Sequence, residues 1–444
     1  MNNLYLNTQV SKEIFNSAQK FTKHLSKPHQ SNFREIIRGL LTNKTCFLSQ
    51  IAKSNSNTNN VRKDVERYSK TLSKIPADKF QQIHINSHIS QFKNEPVLLL
   101  SDGGDFQKPY AKKMEYICKN VDGSNGHKTG KGFSIESVVA YGVKTKNIAP
   151  LACHVFSTQK EDYKSDREEH KKIFNMCSPL IESSPYDRII VEDRGCDDEK
   201  RFMYFIKELK CSFITRICAG KKARNVIIKD EDKNEITVSI QSLARTLKNK
   251  AKSKRKWFNK KTKKELISKI SYQKVFLPKH KNIPLYAIFV YSENYDEPLV
   301  VFTDLITDSA EKAWKHFFYY KKRWEVENFY RAIKQNHDAE KFLILKFVKI
   351  QALTFLFMLV TSLILKIKQK AQEFFGIIYS LFKCFCKKEQ RTSNHYLDVL
   401  AFLRTYIPKV IDGYSYKFYS CYFSKNRCYS NCQQLKLFDF RKKW

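Results

Sequence analysis

Acidic side chains are in short supply in this 444-residue chain: 44 Asp and Glu stand against 81 Lys and Arg, a formal charge of +37 at neutral pH. A surplus that large repels itself unless a polyanion neutralises it. Nucleic acid fits that role, because cationic side chains that displace condensed counterions gain binding free energy. A membrane surface is the weaker alternative. The chain also lacks a zinc-ligand pattern. Cys384-Phe385-Cys386 is too tight, and Cys421, Cys428 and Cys432 lack a second ligand pair. The 12 cysteines therefore read as reduced thiols of a cytoplasmic protein. No secretory leader is expected, since Met1 to Val10 is polar. Nor is a membrane span expected. The most apolar run, Ala352 to Leu365, is interrupted by Thr354, Thr361 and Ser362, and crossing a bilayer takes ~20 residues. It reads as a buried helix.

What is present is enough to fold. Apolar residues make up 42% of the chain, which supports packed cores rather than disorder. The length suits roughly two to four domains. Residues 1–95 read as an all-helical DNA-binding domain. Phe33, Ile36, Ile37, Leu40 and Leu41 recur at helical spacing. After a break, Val61 to Leu72 carries Arg62, Lys63, Arg67 and Lys70. Short helices with a basic last member suit a helix-turn-helix reader of DNA, and equally a small bundle with a solvated basic face.

From Pro96 the texture changes. Val97-Leu98-Leu99-Leu100 has the look of a buried strand, ending at Ser101-Asp102-Gly103-Gly104-Asp105. Phe133 to Val143 and Ile148 to Phe156 are strand-like, Asp166 to Ile181 helical. Arg188 to Val191 is a second short buried strand, ending at Glu192-Asp193-Arg194-Gly195. Glu199 to Leu209 reads as helix and Ser212 to Ile217 as strand. The order predicts an α/β mixed sheet over residues 96–217. Residues 218–305 read as a β-rich basic insertion, with a hairpin around Glu231 to Asn234. Within it, lysines and Arg255 surround Trp257-Phe258. Such a run suits contact with a DNA strand, or an exposed basic helix or loop. Ala310 to Asn336 is expected to be one long helix completing the core within 306–345. Residues 346–444 are expected to be a helical region serving dimerisation or DNA contact. Tyr414, Tyr416, Tyr419 and Tyr422 in it suit packing.

Asp102 and Asp193 each stand where a buried apolar strand runs out. An Asp there is often a turn former. If the strands are neighbours, though, both carboxylates emerge on one edge, a platform for two divalent ions ~4 Å apart. Such hard ions prefer carboxylate oxygens. Tyr320, Arg323, Glu327 and Lys334 follow as Y-x2-R-x3-E-x6-K. On one helix these spacings share a face. Glu327 is then a third metal ligand, and the other three are phosphate contacts. The plain alternative is a solvated, ion-paired helix face.

This signature resembles that of the DDE transposases of the insertion-sequence-four group, and Asp102-x2-Asp105 with Lys108-Pro109, together with Asp193-Arg194-Gly195, look like the settings of that family's two aspartates. The resemblance covers roughly residues 30 to 370. It implies a ribonuclease H-like catalytic domain with a β-rich insertion. It implies two Mg2+ ions, replaceable by Mn2+, with Asp102 bridging both and Asp193 and Glu327 each holding one. Tyr320, Arg323 and Lys334 would bind DNA phosphates near the cut. The implied activity is strand cleavage at transposon ends and strand transfer into a target. The implied partners are double-stranded DNA, as terminal inverted repeats and target, and a second copy of the chain as a homodimer on DNA. The expected setting is the nucleoid of a bacterial cytoplasm, with no membrane. A ribonuclease H-like endonuclease without joining activity and an inactive transposase-derived DNA-binding protein are the alternatives. One departure stands out: relatives often carry a hydroxyl or apolar residue where Gly103-Gly104 follows Asp102, and two glycines loosen a strand.

Overall fold

The apolar run Val97 to Leu100 is buried on both sides: Leu98 and Leu100 enter one hydrophobic cluster, Val97 and Leu99 another. A strand with two buried faces needs a layer above and a layer below. That three-layer α/β arrangement is what the computed structural model has. It describes residues 15–374, apart from 44, 56–59, 123–127, 221–222, 231, 252, 260–263 and 294. Met1 to Val10, the cysteines and tyrosines beyond 374, Lys260, Lys261 and Lys263 lie outside the described residues.

The chain before the sheet is helical and includes α1 (Lys27–Thr42), α2 (Leu48–Asn55), α3 (Val61–Leu72) and α4 (Ala77–Asn86). The apolar spacing in α1 does what it predicts, burying Phe33, Ile36, Ile37, Leu40 and Leu41. The Asn60 side chain caps α3 by accepting from the Lys63 N–H. Arg62, Lys63, Arg67 and Lys70 are exposed on α3.

The sheet has twelve strands. β1 (Val97–Gln107), β2 (Cys118–Asp122), β3 (Lys128–Gly142) and β4 (Ile148–Phe156) come in sequence. Helix α5 (Asp166–Met176) leads to β5 (Arg188–Glu192), and α6 (Glu199–Met203), continued by a π-turn Tyr204–Glu208, leads to β6 (Ser212–Ile217). β1 runs antiparallel to β3 and parallel to β5, and β5 is parallel to β6. Then follow β7 (Asn225–Lys229), β8 (Glu235–Ser239), α7 (Ile240–Lys248), β9 (Ser253–Asn259), β10 (Lys264–Leu277), β11 (His280–Ser292) and β12 (Leu299–Thr303). β7 and β8 form the expected hairpin. β12 pairs antiparallel with β6, so these later strands extend the main sheet. The basic run at Trp257 is strand β9, not helix or loop: it pairs antiparallel with β10, and Trp257 packs on the core while Lys254, Arg255 and Lys256 stay exposed.

Two helices close the described chain's site: α8 (Ala310–Lys321) and α9 (Trp324–Asn336). The expected single helix over 310–336 is therefore broken. Lys322 and Arg323 close tight turns onto Tyr319 and Tyr320 carbonyls, and the chain restarts at Trp324. Last comes α10 (Phe347–Phe374). Its Phe347–Lys366 portion is long and apolar enough to cross a membrane, yet 83% of that apolar window is buried inside the protein. It packs against β4 and the N-terminal helices, with Phe80 and Phe355 in edge contact at 5.8 Å. The N-terminal helices and the sheet thus share one hydrophobic cluster with α10. Helices α8, α9 and α10 cover one sheet face; α5, α6 and α7 cover the other.

Candidate active site

Strand register decides where the acids stand. The last parallel pair between β1 and β5 is Leu100 with Val191. Asp102 and Asp193 each lie two residues further on, and side chains alternate along a strand. Both carboxylates therefore fall on the face covered by α8 and α9. Sequence expectation put Asp102 at a strand end. It is instead in mid-strand, since β1 continues to Gln107 along β3. What ends beside it is β5, and that shorter neighbour opens the edge.

From the opposite side, α9 packs on β1 and β3, and α8 on β5 and β6. The corner between them presents Arg323, whose guanidinium sits among all three predicted acids. Its Nη1 donates to Asp102 Oδ2 at 2.8 Å. Its Nη2 donates to Glu327 Oε1 and lies 3.5 Å from Asp193 Oδ2. The Arg323 side chain is only 13% exposed. Tyr320, at the end of α8, donates its hydroxyl to Asp193 Oδ1 at 2.9 Å. Arg216 on β6 adds a further cation 3.9 Å from Asp193. Five of the six predicted site residues are thus gathered at one spot despite the broken helix.

Lys334 stands apart from the other five. Its ammonium is held by Asp105 Oδ1 and Glu340 Oε1, each at 2.9 Å. Asp105 therefore holds a lysine rather than joining Asp102. The nearby Lys108 is buried and donates to the carbonyls of Glu340 and Phe342, which pins the turn carrying Glu340.

The electrostatics of the two aspartates diverge. Burial pushes the Asp102 carboxyl up to about 7; Arg323 opposes this, while Asp193, Glu327 and Glu136 add to it. Burial acts the same way on Asp193, but Arg323, the Arg194 N–H and the Tyr320 hydroxyl outweigh it and leave Asp193 below the usual range. Burial thus prevails at Asp102, while two guanidiniums and two hydrogen-bond donors prevail at Asp193.

The adjacent glycines have different reasons. Gly104 faces α9, where an added Cβ would meet the Tyr330 ring at 3.0 Å. Tyr330 uses that room to donate its hydroxyl to the Asp102 carbonyl at 2.8 Å and to the Ile135 carbonyl at 3.2 Å. Gly103 points to the reverse face, where its Cβ would come within 3.3 Å of Glu136 Oε1. The pair leaves room for Tyr330 on one face and Glu136 on the other, and the pairing of β1 with β3 runs unbroken through both glycines.

Beneath the site, on that reverse face, lies a buried ion cluster that sequence reasoning did not find. His170 Nε2 is 2.9 Å from Glu192 Oε1 and His170 Nδ1 is 3.8 Å from Glu136 Oε2; Arg201 Nη1 is 3.8 Å from Glu192. Glu192 points away from Asp193, as alternation predicts. No spacing in the sequence links residues 136, 170, 192 and 201, since only the sheet brings them together.

The donor set suits a hard divalent cation. Asp102, Asp193 and Glu327 offer only carboxylate oxygens, and their charge exceeds what Arg323 supplies. As the side chains stand, Arg323 lies between them, and among the described residues no three His, Cys, Asp or Glu side chains are gathered closely enough to hold an ion. Trp257 is not free to stack on a base. Its Nε1 donates to Ser268 Oγ at 2.9 Å, its ring meets Phe317 edge-on at 5.5 Å, and Lys321 Nζ lies 4.0 Å over it. Phe258 is the exposed member of that pair, at 56%.

No protein-family model matches the sequence, and no curated protein matches it.

Proposed function

We propose that this chain is a DNA transposase of the DDE type, cutting DNA at transposon ends and joining the freed 3′ hydroxyl to a target. One observation carries the reading: three acids far apart in sequence, Asp102, Asp193 and Glu327, converge on one guanidinium beside the end of β5, within the sheet. The strand order supports a ribonuclease H-like core. β4, β3, β1, β5 and β6 lie side by side, with β3 antiparallel to β1 and with β1, β5 and β6 mutually parallel. The β-rich segment then continues that sheet between the second Asp and the Glu.

Asp102, Asp193 and Glu327 would hold the divalent ions, Mg2+ or Mn2+. When bound, these ions activate the attacking oxygen and stabilise the leaving one. The protein's own groups orient the DNA. Arg323 presents a planar fork matched to phosphate oxygens. Tyr320 keeps the Asp193 carboxylate aimed into the site, and Tyr330 braces the Asp102 backbone. Lys334, held between Asp105 and Glu340, is a fixed cation beside the strand path. The formal charge of +37 supports double-stranded DNA as the partner. Work on two ends and a target suits a homodimer in the bacterial cytoplasm.

The test is Glu327→Gln, which removes one carboxylate charge with little change in shape. Cleavage of a supercoiled plasmid carrying the terminal repeats should vanish, while binding to the ends persists. Normal cleavage by this variant would refute the role of Glu327. Wild-type protein that nicks the plasmid yet never yields joined products would instead identify an endonuclease.

A further inference from the structure

Arg323 occupies the position that, on the reading above, a metal ion must take. It touches all three acids, with Nη1 on Asp102 and Nη2 shared between Glu327 and Asp193. A guanidinium does not lose its proton at any working pH. It leaves the carboxylates only by moving. What would draw it out must offer equivalent oxygens, and a phosphodiester does so, since guanidinium forks pair with phosphate as they do with carboxylate.

We propose that Arg323 is a displaceable counter-ion that keeps the three carboxylates closed to divalent metal until a DNA phosphate takes the guanidinium. DNA and metal then bind cooperatively, and DNA-free protein holds metal poorly. This inference rests on the metal reading of the site, and goes beyond it by ordering the two ligands.

Two features suit the exchange. Arg323 lies at the corner between α8 and α9, where the helix is already interrupted, so its side chain hangs from a turn rather than a helix interior. Two of the acids have supports besides Arg323: Tyr320 holds the Asp193 carboxylate, and Tyr330 holds the Asp102 backbone. Coupled ligands must help each other equally, so metal should tighten DNA binding by the factor that DNA tightens metal binding.

The experiment counts free Mn2+ by electron paramagnetic resonance during titration of full-length protein. The arms are wild type, Arg323→Gln and Arg323→Gln/Glu327→Gln, each with and without a short duplex whose own Mn2+ uptake is subtracted. Wild type should bind Mn2+ about tenfold more tightly with duplex than without, within the usual range of couplings between two ligands. Without DNA, Arg323→Gln should bind about tenfold more tightly than wild type, gain little from duplex, and lose its binding when Glu327→Gln is added. Equal DNA-free affinities in wild type and Arg323→Gln would overturn the counter-ion role and leave the metal reading intact. No specific Mn2+ uptake by any arm, duplex present, would overturn both. If Arg323→Gln does not fold, the wild-type comparison decides alone: an affinity unmoved by duplex refutes the proposal.

Discussion

The buried pair beneath the site provides a sharp test of how this sheet is held together. Glu192 is 0% exposed and His170 1% exposed. Replacing His170 by Leu removes the closest partner of a carboxylate with no access to water. Breaking a buried ion pair from one side costs about 3–5 kcal/mol. The lower end applies here, because Arg201 remains 3.8 Å from Glu192 and keeps part of the attraction. The double variant His170→Leu/Glu192→Leu removes the orphaned carboxylate and should recover about half of the loss, since Arg201 then loses Glu192 as a partner. Burial lowers the affinity of His170 for its proton, but Glu192 and Glu136 outweigh this and raise it above the usual histidine value. The native state therefore holds that proton more firmly than the unfolded chain does. The benefit is complete below about pH 6.5 and fades as pH rises through the native value. Urea unfolding of the four members of the cycle, at pH 6 and at pH 9, measures both quantities. A His170→Leu variant within about 0.5 kcal/mol of wild type at pH 6 would refute the argument.

Two further predictions follow from single contacts. His316 is buried on Thr307, and burial, with Lys315 and Lys312 adding, pushes it down to about 4. The unfolded chain takes a proton near pH 6.5 that the native state refuses, so stability is complete above that pH and declines below it, by about 2 kcal/mol at pH 5. Urea midpoints for wild type and His316→Gln should diverge in slope over this window, and parallel slopes would remove His316 as the cause. Gly104→Ala places a methyl 3.0 Å from the Tyr330 ring, which should cost about 1–3 kcal/mol by overpacking. It should also lower cleavage more than DNA binding, because Tyr330 braces Asp102. Unaltered cleavage would mean that the Asp102 backbone needs no such brace.

Much of the site was legible in the chain because its signals are local. Apolar runs at 97–100 and 188–191 specify buried strands, and an acid two residues beyond the run emerges on a known face. The Tyr320, Arg323, Glu327 and Lys334 spacing marks one helical surface even though the helix is interrupted at Lys322. The interruption itself was not legible, since nothing in Tyr-Lys-Lys-Arg-Trp disfavours helix. The break follows from α8 and α9 packing on different strand pairs. Lys334 shared the spacing of its neighbours but was claimed by Asp105, which the packing of α9 on β1 brings near, and by Glu340, which the turn after α9 brings near. Trp257 looked available in a basic run until the pairing of β9 with β10 turned it inward onto Phe317.

Sequence alone determined the α/β class and the excess of positive charge, and it singled out Asp102, Asp193 and Glu327 as candidates, because composition and periodicity are properties of neighbours along the chain. Tertiary structure decided that β5 stops short beside Asp102, that two glycines make room for Tyr330 and Glu136, that His170 meets Glu192, and that Arg323 stands among the carboxylates. Each of these depends on which strands and helices lie side by side. Pairing across a sheet places residues in contact without regard to their separation in the chain, and no local pattern records it.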